Sequence, residues 1–127
     1  MELIRRCLPA IVMLAIVGVA ACSHGEADAA ALTQGGDAAR GRELIRSYGC
    51  GACHTIPHVA GAVATVGPNL DGVAARAYIA GVVPNQPGNM MQWIMNPAAI
   101  DSKTAMPNLH VTASDARDIA AYLYTLQ

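Results

Sequence analysis

Residues 50–54 read "CGACH": two cysteines, two small spacers between them, and a histidine directly after the second cysteine. Thiols and an imidazole at this spacing suit three chemistries, namely a zinc site, an exchangeable disulfide, or the covalent attachment of a haem. Zinc takes four ligands, ordinarily with a second pair at metal-binding spacing. Beyond the motif only His58 and His110 are on offer, and no second cysteine pair follows. A thioredoxin-like pair opens a helix within a strand–helix–strand unit, and the chain shows no alternating strand pattern. Covalent haem needs little beyond the five residues themselves, because the thiols add to the vinyl groups and the histidine is placed under the iron. In an exported domain the pattern favours this third chemistry.

Export is indicated by the N-terminus. Arg5 and Arg6 precede an apolar run from Cys7 to Ala21 that ends in small residues. That is the layout of a secretory signal, too short to span a bilayer comfortably. "VAAC", Val19 to Cys22, resembles the lipobox of bacterial lipoproteins, which implies lipid attachment at Cys22 and tethering to a membrane. Acyl chains buried in one leaflet then do the work of a spanning helix. The simpler alternative is an ordinary cleavage site. The expected organisation is a signal over residues 1–21, an anchor cysteine with a flexible tether over 22–36, and a folded domain over 37–127. The expected location is periplasmic or otherwise extracytoplasmic.

The chain has 127 residues, enough for one small domain, with no phenylalanine, one tryptophan and four tyrosines. Small exported domains generally need a staple such as a disulfide, a metal or a bound cofactor. Cys50 and Cys53 are too close together to close a stabilising loop, so something else must complete the core. No basic block or aromatic-and-basic stripe occurs, which argues against a nucleic-acid partner.

Working outward, "DAARGRELIRSY" (37–48) predicts a helix with Asp37 as N-cap, Gly49 as stop, and Ala38, Gly41, Ile45 and Tyr48 on one face. Gly41 inside that face implies close backbone approach by another element. Residues 49–72 read as a loop, "VAARAYIAG" as a short helix, and "PGNMMQWIMNP" as a helix between Pro87 and Pro97. Residues 97–111 read as irregular. "TASD" (112–115) resembles a capping box opening a last helix whose stripe is Ala116, Ile119, Ala120 and Leu123. The expected class is all-α, three to five helices with long loops, and loops of that length in so short a domain point to a large group at the centre.

A haem iron held by one histidine leaves a sixth position to fill. Met90, Met91 and Met95 lie in the expected helix, where methionine ordinarily fills gaps. Met106 lies in an irregular loop beside Pro107, far along the chain from His54, and is the best candidate. His58 is close in sequence to His54, and His110 reads first as a surface residue.

The region resembles a monohaem class I cytochrome c over nearly its whole length. "GDAARGRELIRSYGCGACH" looks like that family's first helix and attachment site. "GPNL" (67–70) resembles the loop whose proline carbonyl accepts the imidazole proton, "WIMNP" followed by "MP" resembles the helix and sixth-ligand loop, and "DIAAYL" the helix that crosses the first. The resemblance implies one covalent haem c attached at Cys50 and Cys53, with iron ligands His54 and Met106 and with Pro68 orienting His54. It also implies a propionate-bonding hydroxyl at Thr104, helix packing of Gly41 and Ile45 against Ile119 and Tyr122, and a haem pocket walled by Leu70, Tyr78, Trp93 and Leu109. Arg76 and Tyr78 are further candidates for the propionates. "GPNLDGVAARAYIAGVVPNQPGNMMQWIMNP" is similar to the cytochrome c domain attached to subunit II of some haem-copper oxidases. "DSK" before Thr104 departs from relatives that often carry proline and glycine there.

The function implied is one-electron transfer without catalysis. The expected partners are redox proteins, with a haem-copper terminal oxidase or a quinol-oxidising complex of a respiratory chain as candidates. The competing class is a haem enzyme or a gas or peroxide sensor with a displaceable sixth ligand. A non-haem thiol protein is the third reading.

Overall fold

The computed structural model describes residues 24–127; the signal, the lipobox-like "VAAC" and Cys22 lie outside the described residues. Among the described residues are five α-helices: α1 (His24–Leu32), α2 (Ala38–Ser47), α3 (Pro87–Met95), α4 (Pro97–Ile100) and α5 (Ala113–Tyr124). One two-stranded antiparallel ladder, β1 (Tyr78–Ile79) with β2 (Val83–Pro84), completes them. The domain is predominantly helical, as the sequence implies.

Helix α2 begins where the polar residue before it can satisfy a free N–H: the Asp37 carboxylate accepts from the Arg40 amide at 2.9 Å. It ends at Tyr48, and Gly49, with φ of 74°, turns the chain into a 3-10 turn over Cys50–Ala52. Ala38, Gly41 and Ile45 are buried and Tyr48 half-buried, the expected face. Helix α5 starts likewise, with the Thr112 hydroxyl accepting from the Asp115 amide at 3.2 Å. Its burial is wider than the expected stripe and the Tyr122 contact, taking in Asp118, Ala121 and Tyr124. The reason is position, since α1, α2 and α3 all pack on α5.

The crossing of α2 and α5 is a backbone contact. A Cβ on Gly41 would overlap the Asp118 carbonyl and lie 3.0 Å from the Ile119 nitrogen. Around that contact the Asp118 carboxylate accepts the Asp37 amide at 2.9 Å and one arm of the Arg40 guanidinium. The other arm reaches Asp115 at 2.5 Å, and the Tyr48 hydroxyl donates to Asp115 at 2.7 Å. Arg40 keeps 48% of its side-chain surface exposed, so these pairs fix the crossing geometry more than they stabilise the fold.

Three expectations are corrected. Residues 24–36 are not a flexible tether. "HGEADAAAL" is helical, and "TQGG" is its cap, in which Gln34 adopts φ of 56° and the Gly35 amide donates to the Ala30 carbonyl at 2.7 Å. Ala29 and Thr33 are buried, and a Cβ on Gly36 would lie 2.8 Å from both Ala121 Cβ and the Arg117 carbonyl, so the segment packs against α5. "VAARAYIAG" does not form a helix. Only Val73–Ala75 make a 3-10 turn, because the Asn85 amide takes the Val73 and Arg76 carbonyls at 2.9 Å each. The chain then reverses through Ala80 and Gly81, both at positive φ, into β2. Finally, the 97–111 stretch opens with the helical turn α4, started by Pro97 where it ends α3.

Two outcomes are expected. Gly41→Ala pushes α2 from α5 and lowers stability by about 1–3 kcal/mol in denaturant titration, despite alanine's higher helix propensity. The Asp115 carboxyl is held below its ordinary value, chiefly by the Tyr48 hydroxyl and then by Arg40. Because the folded pKa is the lower one, this stabilisation is present above the unfolded pKa of about 3.9 and is lost as pH falls through the folded value. Asp115→Asn should therefore lower the melting temperature at neutral pH and flatten its fall on acidification.

Candidate functional site

Cys50 and Cys53 are not joined to each other and lie half-buried at the two ends of the 3-10 turn that α2 runs into. Burial pushes the Cys50 thiol up. The described residues contain no group of three or more His, Cys, Asp and Glu side chains placed to hold a metal ion, as a zinc centre of that kind would require.

His54 is held from two sides. Its Nδ1–H donates to the Pro68 carbonyl at 2.7 Å, as the "GPNL" resemblance implies. That bond fixes the tautomer, leaves the Nε2 lone pair for a metal, and makes the ring a stronger donor. On the other side lies Gly67, where a Cβ would sit 2.5 Å from Cε1 and 2.8 Å from Nδ1 of the ring. Backbone bonds hold this loop to the motif: the Gly67 amide donates to the Cys53 carbonyl at 2.7 Å and the Leu70 amide to the Thr55 carbonyl at 2.9 Å.

The loop is also held from outside. Arg76 donates to the Asn69 carbonyl at 2.5 Å and the Asp71 carbonyl at 3.1 Å, so its guanidinium is committed to this loop. Asn85 connects the same region to α5. Its amide nitrogen serves the Val73 and Arg76 carbonyls, and its oxygen accepts from the Tyr124 hydroxyl at 3.0 Å. Burial pushes Tyr124 up to about 12, so the phenol stays a donor across the neutral range. Sequence reasoning passed over Gly67 and Asn85 as site-positioning residues. "GPNL" contained the first, whereas an asparagine in "VVPNQPG" is locally indistinguishable from any turn residue.

Leu70, Trp93 and Leu109 are half-buried and pack, with Cys50, Met91 and Met95, on the buried core without being covered by it. Met90 is 3% exposed and serves as core filling. Met106 is half-buried in the loop after α4, its amide donating to the Thr104 hydroxyl at 3.1 Å, so Thr104 has a local partner. Tyr78 is 58% exposed on β1. His110 is exposed, at φ of 56° with its amide on Asn108, a turn residue. Two half-buried cysteines, an imidazole with a free Nε2, and partly covered apolar side chains around one core fit an apolar porphyrin bound through its iron and two vinyl groups.

The cytochrome c family model matches residues 38–127, and the chain belongs to that family. It carries haem c covalently attached and transfers electrons through it. The chain is also 29% identical over 89 residues to cytochrome c oxidase subunit 2 of Alkalihalophilus pseudofirmus, a match covering 69% of this chain and 25% of that one. It thus spans about a quarter of the relative's length.

Gly67→Ala is expected to displace the His54 ring, weakening the Pro68 bond and shortening the exchange lifetime of the ring N–H in NMR spectra. Asn85→Ala leaves the Val73 and Arg76 carbonyls and the Tyr124 hydroxyl short of a partner. It should cost about 1–3 kcal/mol in denaturant titration, more than Tyr124→Phe does.

Proposed function

We propose that Cys50 and Cys53 would form the two thioether bonds, that His54 Nε2 and the Met106 sulfur would hold the iron, and that the domain is an electron carrier rather than an enzyme. The observation that carries this reading is the 2.7 Å bond from His54 Nδ1 to the Pro68 carbonyl beside two half-buried cysteines. When bound, the haem supplies an iron that alternates between ferrous and ferric states. The Pro68 carbonyl keeps the imidazole in the tautomer that presents Nε2. The Met106 thioether, a soft donor, favours the ferrous state and raises the potential. Leu70, Trp93 and Leu109 exclude water from the plate, and Thr104 orders the start of the Met106 loop. With His54 and Met106 both holding the iron, the site would pass electrons and leave no position open for a substrate.

The partner we propose is a respiratory complex, with a terminal oxidase favoured over a quinol-oxidising complex. The similarity to an oxidase subunit supports this choice. We further propose an extracytoplasmic location with a membrane tether through lipidated Cys22, which rests on "VAAC" and its preceding apolar run.

Protein matured with its haem should show the weak near-red band of methionine-to-iron charge transfer in the ferric state. Met106→Ala should abolish the band, open the iron to carbon monoxide, and lower the potential on the order of 100 mV, well within the ~0.8 V that axial ligands span. Met91→Leu and Met95→Leu should leave the band intact. A band that survives in Met106→Ala would sink the assignment. Cys22→Ala should move the protein from the membrane fraction to the soluble one.

A further inference from the structure

Met106 hangs from the end of α4 through a run of short polar bonds. Pro97, a fully buried side chain, starts α4, and the Asp101 amide closes that turn on the Pro97 carbonyl at 3.0 Å. Residues 101–104 then make a second turn. In it the Thr104 amide donates to the Asp101 carbonyl at 3.1 Å and the Lys103 amide to the Asp101 carboxylate at 2.9 Å. Thr104 passes the constraint on, its hydroxyl accepting the Met106 amide at 3.1 Å. From Ala105 to Val111 no backbone amide meets a backbone carbonyl among the described residues. Downstream of the methionine the Asn108 side chain takes the His110 amide at 2.8 Å. Met106 is therefore located chiefly from its N-terminal side, through Asp101.

A four-residue turn can be set in advance in two ways. A proline at its second position fixes φ, or an aspartate at its first takes the amide of the third on its carboxylate. "DSKT" (101–104) has serine at the second position, so the aspartate does this work. We infer that Asp101 is a positioning residue for the Met106 thioether, acting through Thr104, and that loss of its carboxylate lets the thioether leave the iron more often. The inference rests on the Met106 ligation proposed above. Because the carboxylate holds an amide, it acts as an acceptor and not as a charge. Asparagine at 101 offers the same oxygen, and alanine offers none. Lys103 is exposed, so water takes its amide when the carboxylate is removed and the fold survives the loss. A proline at 102 supplies the missing constraint by the other route. Asp101 already has φ of −134° and ψ of 105°, the extended conformation required before proline, and the Ser102 amide meets no backbone carbonyl among the described residues.

The test is the entry of free imidazole to the ferric iron of the matured full chain, followed by loss of the near-red band. Imidazole is used at concentrations where departure of the thioether limits the rate. One hydrogen bond of this kind shifts an equilibrium by about three- to tenfold, so Asp101→Ala should raise the limiting rate by about that factor. Asp101→Asn should stay within about twofold of the wild type, and Ser102→Pro added to Asp101→Ala should bring the rate back to that level. An alanine variant with the wild-type rate would overturn the positioning role. So would an asparagine variant as fast as the alanine one, which would assign the effect to charge, or a proline that restores nothing, since the shape of the turn would then not be what holds the thioether. Those results leave the Met106 ligation standing. A near-red band that persists in Met106→Ala would instead overturn that ligation and this inference with it, so the two failures are distinguishable.

Discussion

Everything in this domain is positioned by one contact between backbones, where Gly41 of α2 lies against the Asp118 carbonyl of α5. A side chain at position 41 would hold the helices apart. The close approach brings Asp118 near enough to bind both the Asp37 amide and Arg40, and Tyr48 near enough to bind Asp115. Since Gly49 follows the Tyr48 cap of α2 and turns into Cys50, the two cysteines inherit their position from that crossing. Helix packing at one glycine thus decides where the redox group is stitched to the chain.

From there the chain has to hold an imidazole in one orientation using little regular structure. It does so by making backbone carbonyls the ligands of side chains. Pro68 receives the His54 ring, Asn69 and Asp71 receive Arg76, Val73 and Arg76 receive Asn85, and Pro57 receives the Tyr122 hydroxyl at 2.5 Å. Carbonyls left without donors, above all the partly buried ones of Val73 and Pro57, would destabilise such a loop. The same bonds that satisfy them also set the histidine, so loop stability and ligand orientation cannot be separated.

This division explains what was legible in the sequence. Helices α2 and α5 could be read because their caps, their apolar spacing and the interior glycine are local signals that agree with one another. The Pro68–His54 bond was readable through family resemblance, since nothing in the spacing of residues 54 and 68 dictates it. Helix α1 was misread because small polar residues and a double glycine suit a tether as well as a capped helix. What decides between them is contact with Ala121 and Arg117, at the far end of the chain. "VAARAYIAG" was misread for a related reason: the carbonyls an α-helix would use are taken by Asn85. Local propensity loses wherever a distant side chain competes for the same backbone groups.

The placement of charge follows from the same architecture. The ionic clasp of Arg40, Asp115 and Asp118 sits where α2 and α5 cross, and Glu43 and Arg46 lie further along α2. By contrast, the long stretches from Cys50 to Leu70 and from Ala77 to Ile100 hold no Asp, Glu, Lys or Arg. A fixed charge near a buried iron would favour one oxidation state, by roughly 4 kcal/mol at 4 Å and an effective dielectric of about 20. Asp71, Arg76, Asp101 and Lys103 lie in the loops, yet none of Leu70, Trp93, Leu109 and Met106 is charged, which leaves the two iron ligands and the apolar wall as the chief determinants of potential on the reading proposed here. The charges that hold the helices thus lie on residues other than those proposed to hold the haem, so stability and redox behaviour can be tuned by different residues.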